Sequence, residues 1–265
     1  MVGESYSSNE IYKERSLGEP ILELENYSGS GFHDISLSVR RGEVIGFTGL
    51  QGSGASDILQ TIFGVKPAAG GRLRIFGEEI NSSSIHHAMR HRIGMLPANR
   101  KENSVIPDMN LLENTYLAEH TLNNRNQIIS EKNETAKFEA YQRMLNIKAN
   151  RCTELITSLS GGNQQKVILA RWLNTNAEIL LLDNPTQGID VGAKAEIYKL
   201  ILELSRSGKT IIVNSLEIPE IQKVADRCIV FYHGTIQTIL NRSEITEQNV
   251  MLHATQATQA LHMRR

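Results

Sequence analysis

The stretch Leu159-Ser160-Gly161-Gly162-Asn163-Gln164-Gln165-Lys166 carries the strongest chemical signal in the chain. A Ser-Gly-Gly run that opens a helix makes an anion site: bare backbone N–H groups, no Cβ in the way, and the positive end of the helix dipole. The serine hydroxyl adds a donor. Taken alone, the run reads as an ordinary helix cap, because serine caps helices often. Its company changes that reading. About seventeen residues on, Ile179-Leu180-Leu181-Leu182-Asp183 is an apolar strand ending in a carboxylate. An aspartate at the end of a buried strand is where nucleotide-binding proteins hold Mg2+. Pro185-Thr186 and Gly188-Ile189-Asp190 follow it.

Such residues need a rigid frame, and the hydrophobic pattern supplies one. ILELEN alternates and predicts an edge strand, HDISLSV and RLRIF alternate again, and EVIGFTG is an apolar run ending in glycine, the pattern of a buried strand. A helix is expected from about Ala55 to Phe63. From about Asn110 to Trp172 the pattern is helical. The last third returns to alternation: strand EILLLD, helix AKAEIYKLILELSRSG, strand KTIIVNS, helix IPEIQKVA and strand DRCIVFY. Strands separated by helices imply an α/β fold with a mainly parallel sheet. The ends are polar, and no structure is predicted for residues 1–19 or from about Asn241 onward.

Composition narrows the partners. Of 265 residues, 28 are basic and 29 acidic, a formal net charge of -1. That balance gives no electrostatic case for nucleic acid or an acidic membrane as partner. No apolar run approaches the ~20 residues that span a bilayer. The first twenty residues lack a signal-peptide core, so the expected location is the cytosol. Cys152 and Cys228 lack metal or disulfide spacing and read as reduced thiols. His86, His87 and His91 have no acidic or cysteine partners at ligand spacing and predict a surface helix. Trp172 falls on an apolar helix face and predicts core.

LSGGNQQKVILARWL followed by LLLDNPTQGIDVGAKAEIY resembles the ATP-binding subunits of ABC transporters. Asn-Gln-Gln after SGG, and GIDVGAK, are similar to the ribose, galactose and xylose import branch in particular. The resemblance covers roughly residues 20 to 240. It implies a P-loop NTPase fold of the ABC type: a mixed, mainly parallel sheet, an antiparallel β subdomain and a helical subdomain inserted at about residues 105–172. Residues 1–19 would be a linker or tail, and 241–265 a C-terminal tail. Those proteins carry two fused nucleotide-binding halves, and this chain resembles the second. MVGES resembles the start of the linker between halves. Met1 then has three open readings: an internal methionine of a longer protein, the start of a split gene, or an artificial boundary.

A P-loop is G-x-x-x-x-G-K-[ST] after a strand. Here EVIGF leads into Gly49-Leu50-Gln51-Gly52-Ser53-Gly54-Ala55-Ser56. Both framing glycines are present, and Ser56 stands where the Mg2+-binding hydroxyl belongs. Ala55 replaces the lysine. The loop, through Gly49, Gly52, Ser53, Gly54, Ala55 and Ser56, still offers backbone N–H groups to a phosphate. It lacks the cation on the β- and γ-phosphates, a charge-assisted hydrogen bond worth ~1.5–3 kcal/mol. Weak nucleotide binding and none at all both remain open. The resemblance aligns further losses with the same site. Asn184 occupies the place of the glutamate that polarises the attacking water, and an amide cannot accept a proton, a loss of ~10²–10⁴ in rate. Leu216 falls where the switch histidine belongs, and Ala98-Asn99 where the Q-loop belongs. Together these predict that the chain's own site does not hydrolyse ATP. Tyr27 lies near an adenine-stacking position, or is simply strand packing.

The family's halves pair head to tail. That geometry, implied by the resemblance, gives Ser160, Gly161, Gly162 and Gln164 to the ATP held by a partner half with a consensus P-loop, and sends Asp190 across to the same site. Ser56 and Asp183 would hold Mg2+ if nucleotide binds at the chain's own loop. The expected partners are that half, a transmembrane sugar permease and, indirectly, a periplasmic or surface sugar-binding protein; the chain would sit on the inner face of the cell membrane. The segment Asn110 to His120 would meet the permease, and Arg100 and Lys101 would either face it or be solvated. A non-catalytic regulatory or dimerisation module, or a decayed gene product, is the alternative; action on DNA or ribosomes fits neither the charge nor the signature.

Overall fold

A computed structural model describes residues 12–81, 84–123 and 130–255. MVGES and most of the ATQATQ repeat lie outside the described residues. Apolar strands build a six-stranded sheet. They are β3 (Val44–Gly49), β6 (Ile93–Leu96), β7 (Ile179–Asp183), β8 (Thr210–Asn214), β9 (Arg227–Tyr232) and β10 (Thr235–Asn241), in the order β10-β9-β3-β8-β7-β6. All neighbours pair in parallel except β9 and β10, which form an antiparallel hairpin. The parallel strands are buried throughout the middle of the sheet, as continuous Ile/Leu/Val runs require. Register aligns their carboxyl ends: Leu96 with Leu182, Asp183 with Asn214, and Phe47 with Asn214. Whatever follows β3, β6, β7 and β8 therefore meets at one edge, the usual ligand edge of an open α/β sheet.

The alternating strands form a second, antiparallel sheet, β2-β1-β4-β5, from β1 (Pro20–Gly29), β2 (Phe32–Arg40), β4 (Ala68–Ile75) and β5 (Glu78–Ile80). ILELEN was expected at an edge. It lies in β1, which pairs with β2 on one side and β4 on the other, so it is interior; alternation reports a half-buried face and says nothing about how many neighbours a strand has.

Helices α1 (Ala55–Ile62), α2 (Ile85–Arg90), α7 (Val191–Arg206) and α8 (Ile218–Val224) connect strands. Between β6 and β7 come α3 (Arg100–Asn103), α4 (Leu111–Asn123), α5 (Glu131–Met144) and α6 (Gly161–Asn174). Arg171 pins this helical segment. Its guanidinium is buried and donates to Asn114 O at 2.6 Å, Ser104 O at 2.8 Å and Asn114 Oδ1 at 3.0 Å, and burial lowers its pKa to about 10. Trp172 is buried, edge-on to Phe63 at 5.3 Å, and stacked over Gly94, where a Cβ would lie 2.7 Å from its own.

The ends carry more order than their composition predicts. Residues after Asn241 continue into a 3-10 turn and helix α9 (Glu247–Ala254), capped by Thr246, with Ile245, Val250 and Ala254 buried. Three apolar anchors in a polar stretch are too few to read as a period, yet enough to dock one turn after another on β9 and β3. At the other end, Tyr12 and Arg15 both bond Asp226 at 2.6 Å.

Candidate nucleotide site and signature surface

Strand β3 ends in Gly49, and the chain turns back to start α1 at Ala55. The turn closes on itself through Ser53 N–H to Leu50 O at 2.9 Å, and Gly234 N–H donates to Ser53 O at 2.9 Å. Gly54 adopts φ +96°, and a Cβ on it would lie 2.5 Å from Gly31 O, so both conformation and space demand glycine. Gly52, at φ +79°, has open space where its Cβ would be. Glycines at these positions keep the turn's backbone bare, as a phosphate-holding loop requires.

Asp183 sits at the floor. Its Oδ2 accepts from Ser56 Oγ at 2.5 Å, and its Oδ1 accepts from Asn214 Nδ2 at 2.7 Å and Asn184 Nδ2 at 3.2 Å. Burial raises the Asp183 pKa above the usual aspartate value, the Ser56 and Asn214 hydrogen bonds work against that, and the Asp57 charge adds to it. Hydroxyl and carboxylate thus converge as an Mg2+ site needs. Asn214 was not singled out from sequence; the signal available was its place at the end of the strand beside β7. Ala55, at the lysine position, is buried at 4 % exposure and contributes only a methyl group. Asn184 holds a left-handed backbone conformation, φ +46°, with its amide turned on Asp183. Leu216 follows Ser215 at the same edge and is 52 % exposed.

The Ser160–Gly162 run and Asp190 form a second cluster. Ser160 precedes α6 as its N-cap in extended conformation, but its side chain makes no cap bond to the first turn; its Oγ accepts from Asn163 Nδ2 at 2.9 Å. Gly162 packs on α7, where a Cβ would come 2.6 Å from Ala193 Cβ. Asp190 caps α7, with Oδ1 accepting from Ala193 N–H at 2.9 Å. Ser160–Gly162 and Asp190 therefore belong to one surface. Gln164 turns its amide inward, to Leu159 O at 3.1 Å and Ile156 O at 3.3 Å. Gln165, not singled out from sequence, ties α6 to the loop after β7 through Pro185 O at 2.5 Å. The start of α6 and the loop that follows Asp183 are thus tied together.

Several expected positions are revised. Arg100 was read as facing a permease or solvent. It is buried at 7 % exposure, donating to Gln187 O at 2.8 Å and Gly188 O at 3.4 Å; a long aliphatic arm lets it reach across from α3, which sequence spacing does not reveal. Lys101 is exposed. Tyr27 is buried at 3 % exposure against Phe32, at 5.8 Å between rings, and burial pushes its phenol up to about 12; it is strand packing and has no open face for a base. Ala98 is half-buried and Asn99 precedes α3 without a side-chain cap bond. His87 and His91 lie on and just past α2, their Nδ1 atoms against the carbonyls of Asn81 and His87, and His86 is exposed. Among the described residues no group of His, Cys, Asp and Glu gathers as a metal cage, Cys152 and Cys228 are both free, and no helix is long and apolar enough to cross a membrane.

A glycine cradle between a buried parallel strand and a helix, with a carboxylate at the end of a nearby strand, defines a P-loop nucleotide-binding fold. Residues 32–187 match the family model described as "ABC transporter", and the chain belongs to that family. Its fold is similar to a nucleotide-free ATP-binding cassette from an ABC transporter (TM-score 0.76, 24 % identity, 88 % of this chain and 95 % of that one). It is also similar to a dimeric cassette in a post-hydrolysis state bound to ADP and Pi (TM-score 0.72, 23 % identity, 84 % and 99 %). Among curated proteins it is 41 % identical over 255 residues to a putative ribose/galactose/methyl galactoside import ATP-binding protein of Rhizobium meliloti, covering 95 % of this chain and 49 % of that protein. It is 40 % identical to the arabinose import ATP-binding protein AraG of Vibrio parahaemolyticus (95 % and 50 %) and 38 % identical to the ribose import ATP-binding protein RbsA of Lactococcus lactis (96 % and 52 %). The chain spans about half the length of these curated relatives.

Proposed function

We propose that this chain is one nucleotide-binding half of a sugar-import ATPase, presenting Ser160–Gly162 and Asp190 to ATP held by a partner half while its own P-loop site does not hydrolyse. The sugar class follows from the names of the relatives. The observation that carries the reading is the contrast between two surfaces of one chain. The signature turn keeps its glycines and uncapped first turn, whereas the P-loop has a methyl group at Ala55 and an amide at Asn184.

Backbone N–H groups of Gly52–Ser56 would hold the phosphates of a nucleotide at the chain's own site, and Ser56 with Asp183 would hold Mg2+, which neutralises phosphate charge when bound. Asn184 holds Asp183 in place and has no lone pair basic enough to take a proton from water. Binding there contributes to closing the pair and not to turnover. Closure of the two halves shifts a membrane permease between its inward- and outward-facing states. The partners are a half with a consensus P-loop, that permease and, indirectly, a sugar-binding protein; attachment to the permease puts the chain at the inner face of the membrane.

The test is Mg-ATP hydrolysis by this chain alone and after addition of a consensus half from the same transporter. Background rates alone and robust turnover in the mixture are expected. Robust turnover by the chain alone overturns the reading of its site, and no gain over the isolated consensus half overturns its role as clasp.

A further inference from the structure

Beside the Ser160–Gly162 turn lies a buried positive charge, the guanidinium of Arg100. Arg100 is buried at 7 % exposure. Among the described residues its guanidinium donates to two carbonyls, Gln187 O and Gly188 O, and its Nε has no hydrogen-bond partner. Among the described residues no carboxylate pairs with it, and burial lowers its pKa. The guanidinium also lies beside the start of α6: a Cβ built on Gly161 would collide with the Arg100 terminal nitrogen. A helix N-terminus carries about half a positive charge. A buried cation set against it is repelled, and among the described residues no acidic side chain lies in the first turn of α6 or pairs with Arg100. An anion lying in front of Ser160–Gly162 relieves both.

We propose that Arg100 is a positioning residue of the signature's phosphate site, a fixed buried cation that raises the affinity of the Ser160–Gly162 turn for a terminal phosphate and locks the Gln187–Gly188 segment beside it. It rests on the reading of that turn as a phosphate clasp. Gly161 then has two duties. It bares an N–H for the anion, and it leaves room for the guanidinium. The chain that lost the lysine of its own loop keeps a cation behind the turn it offers to a partner. The fork geometry explains the choice of arginine: two N–H groups hold the carbonyls while the charge faces the helix.

The experiment is a titration of the isolated chain with sodium pyrophosphate at low ionic strength, read as amide shifts of Gly161 and Gly162 by 15N-resolved NMR. The P-loop amides of Gly52 and Gly54 serve as the internal comparison and report folding. Wild type is expected to show saturable shifts at Gly161 and Gly162. Arg100→Gln and Arg100→Met, two neutral variants so that one folding failure leaves the other, are expected to weaken that binding at least about tenfold, while Arg100→Lys stays within about threefold. The Gly52 and Gly54 response is the same in all. Equal affinity in wild type and the neutral variants, equal loss in Lys and Gln, or no saturable shift at Gly161 in wild type each overturns the proposal. The measurement needs no partner half. If these shifts appear while the two-half ATPase assay fails, the anion site stands and the transporter reading falls.

Discussion

Ser56 Oγ donates to Asp183 Oδ2 across 2.5 Å, joining the first turn of α1 to the end of β7. Hydroxyl and carboxylate are therefore already together, and the residue between Gly54 and Ser56, where a consensus P-loop has lysine, is Ala55. Ala55→Lys is expected to tighten Mg-ATP binding about ten- to hundredfold by restoring a charge-assisted contact. Isothermal calorimetry reads this directly. Hydrolysis by the variant stays at background, because Asn184 still stands beside Asp183. Unchanged affinity would mean that the cradle no longer accommodates nucleotide.

The contact between α6 and α7 has little slack. A side chain at Gly162 meets Ala193, with Cβ atoms 2.6 Å apart, so Gly162→Val must push the two helices apart. Overpacking of this kind costs about 1–3 kcal/mol. Urea unfolding is the measurement. The same displacement moves Asp190, which caps α7 through Ala193 N–H, so stimulation of a partner half is expected to fall more than stability does. A silent substitution would show that the signature turn and the Asp190 turn are not a unit.

Glu220 is nearly fully buried and gathers donors from separate elements: Ser215 Oγ at 2.7 Å, Tyr198 Oη at 2.9 Å, Lys194 Nζ at 3.1 Å and Thr186 Oγ1. Burial by itself raises its pKa; the hydrogen bonds from Thr186, Ser215, Lys194 and Tyr198 outweigh it and hold the carboxyl below the usual 4.5. The unfolded chain then takes up the proton first as pH falls. The stabilisation is full above about pH 4.5 and is lost as pH drops through the lowered folded value. Glu220→Gln is expected to cost about 1–3 kcal/mol at pH 7 and to flatten the loss of stability below pH 4.5. Parallel acid-unfolding curves for the two proteins would refute this.

What the sequence disclosed divides along the range of the interactions. The strand runs, the turn at Gly49–Ser56, the helix start after Ser160 and the helix from Ala55 depend on neighbours in the chain, and their residue types declare them. Arg100 and Glu220 depend on partners far along the chain, so one looked like a surface cation and the other like an ordinary residue of a helix. Strand β10 and helix α9 were missed for a related reason. Their apolar residues are few, and β10 intersperses polar with apolar residues and gains its pairing from β9. The place of β1 inside its sheet is a matter of topology, which alternation cannot express.

Asp226 shows the same long reach at the opposite edge. Tyr12 Oη donates to its Oδ1 at 2.6 Å, while Arg15 at 2.6 Å and Val44 N–H at 2.7 Å donate to Oδ2, and Arg242 stacks over the Tyr12 ring at 3.4 Å. Burial first, then the hydrogen bond and charge of Asp226, push the Tyr12 phenol up to about 12. Asp226→Asn removes the charge and keeps the shape. Its Tyr12 is expected to ionise closer to the ordinary value of 10, read as the difference in alkaline absorbance between the variant and its Tyr12→Phe form. The substitution also leaves the Arg15 guanidinium enclosed without its anion, and a buried group stripped of its partner costs about 1–3 kcal/mol. Both effects are required: a loss of stability with Tyr12 still titrating near 12 would assign the shift to burial alone and remove Asp226 from its cause.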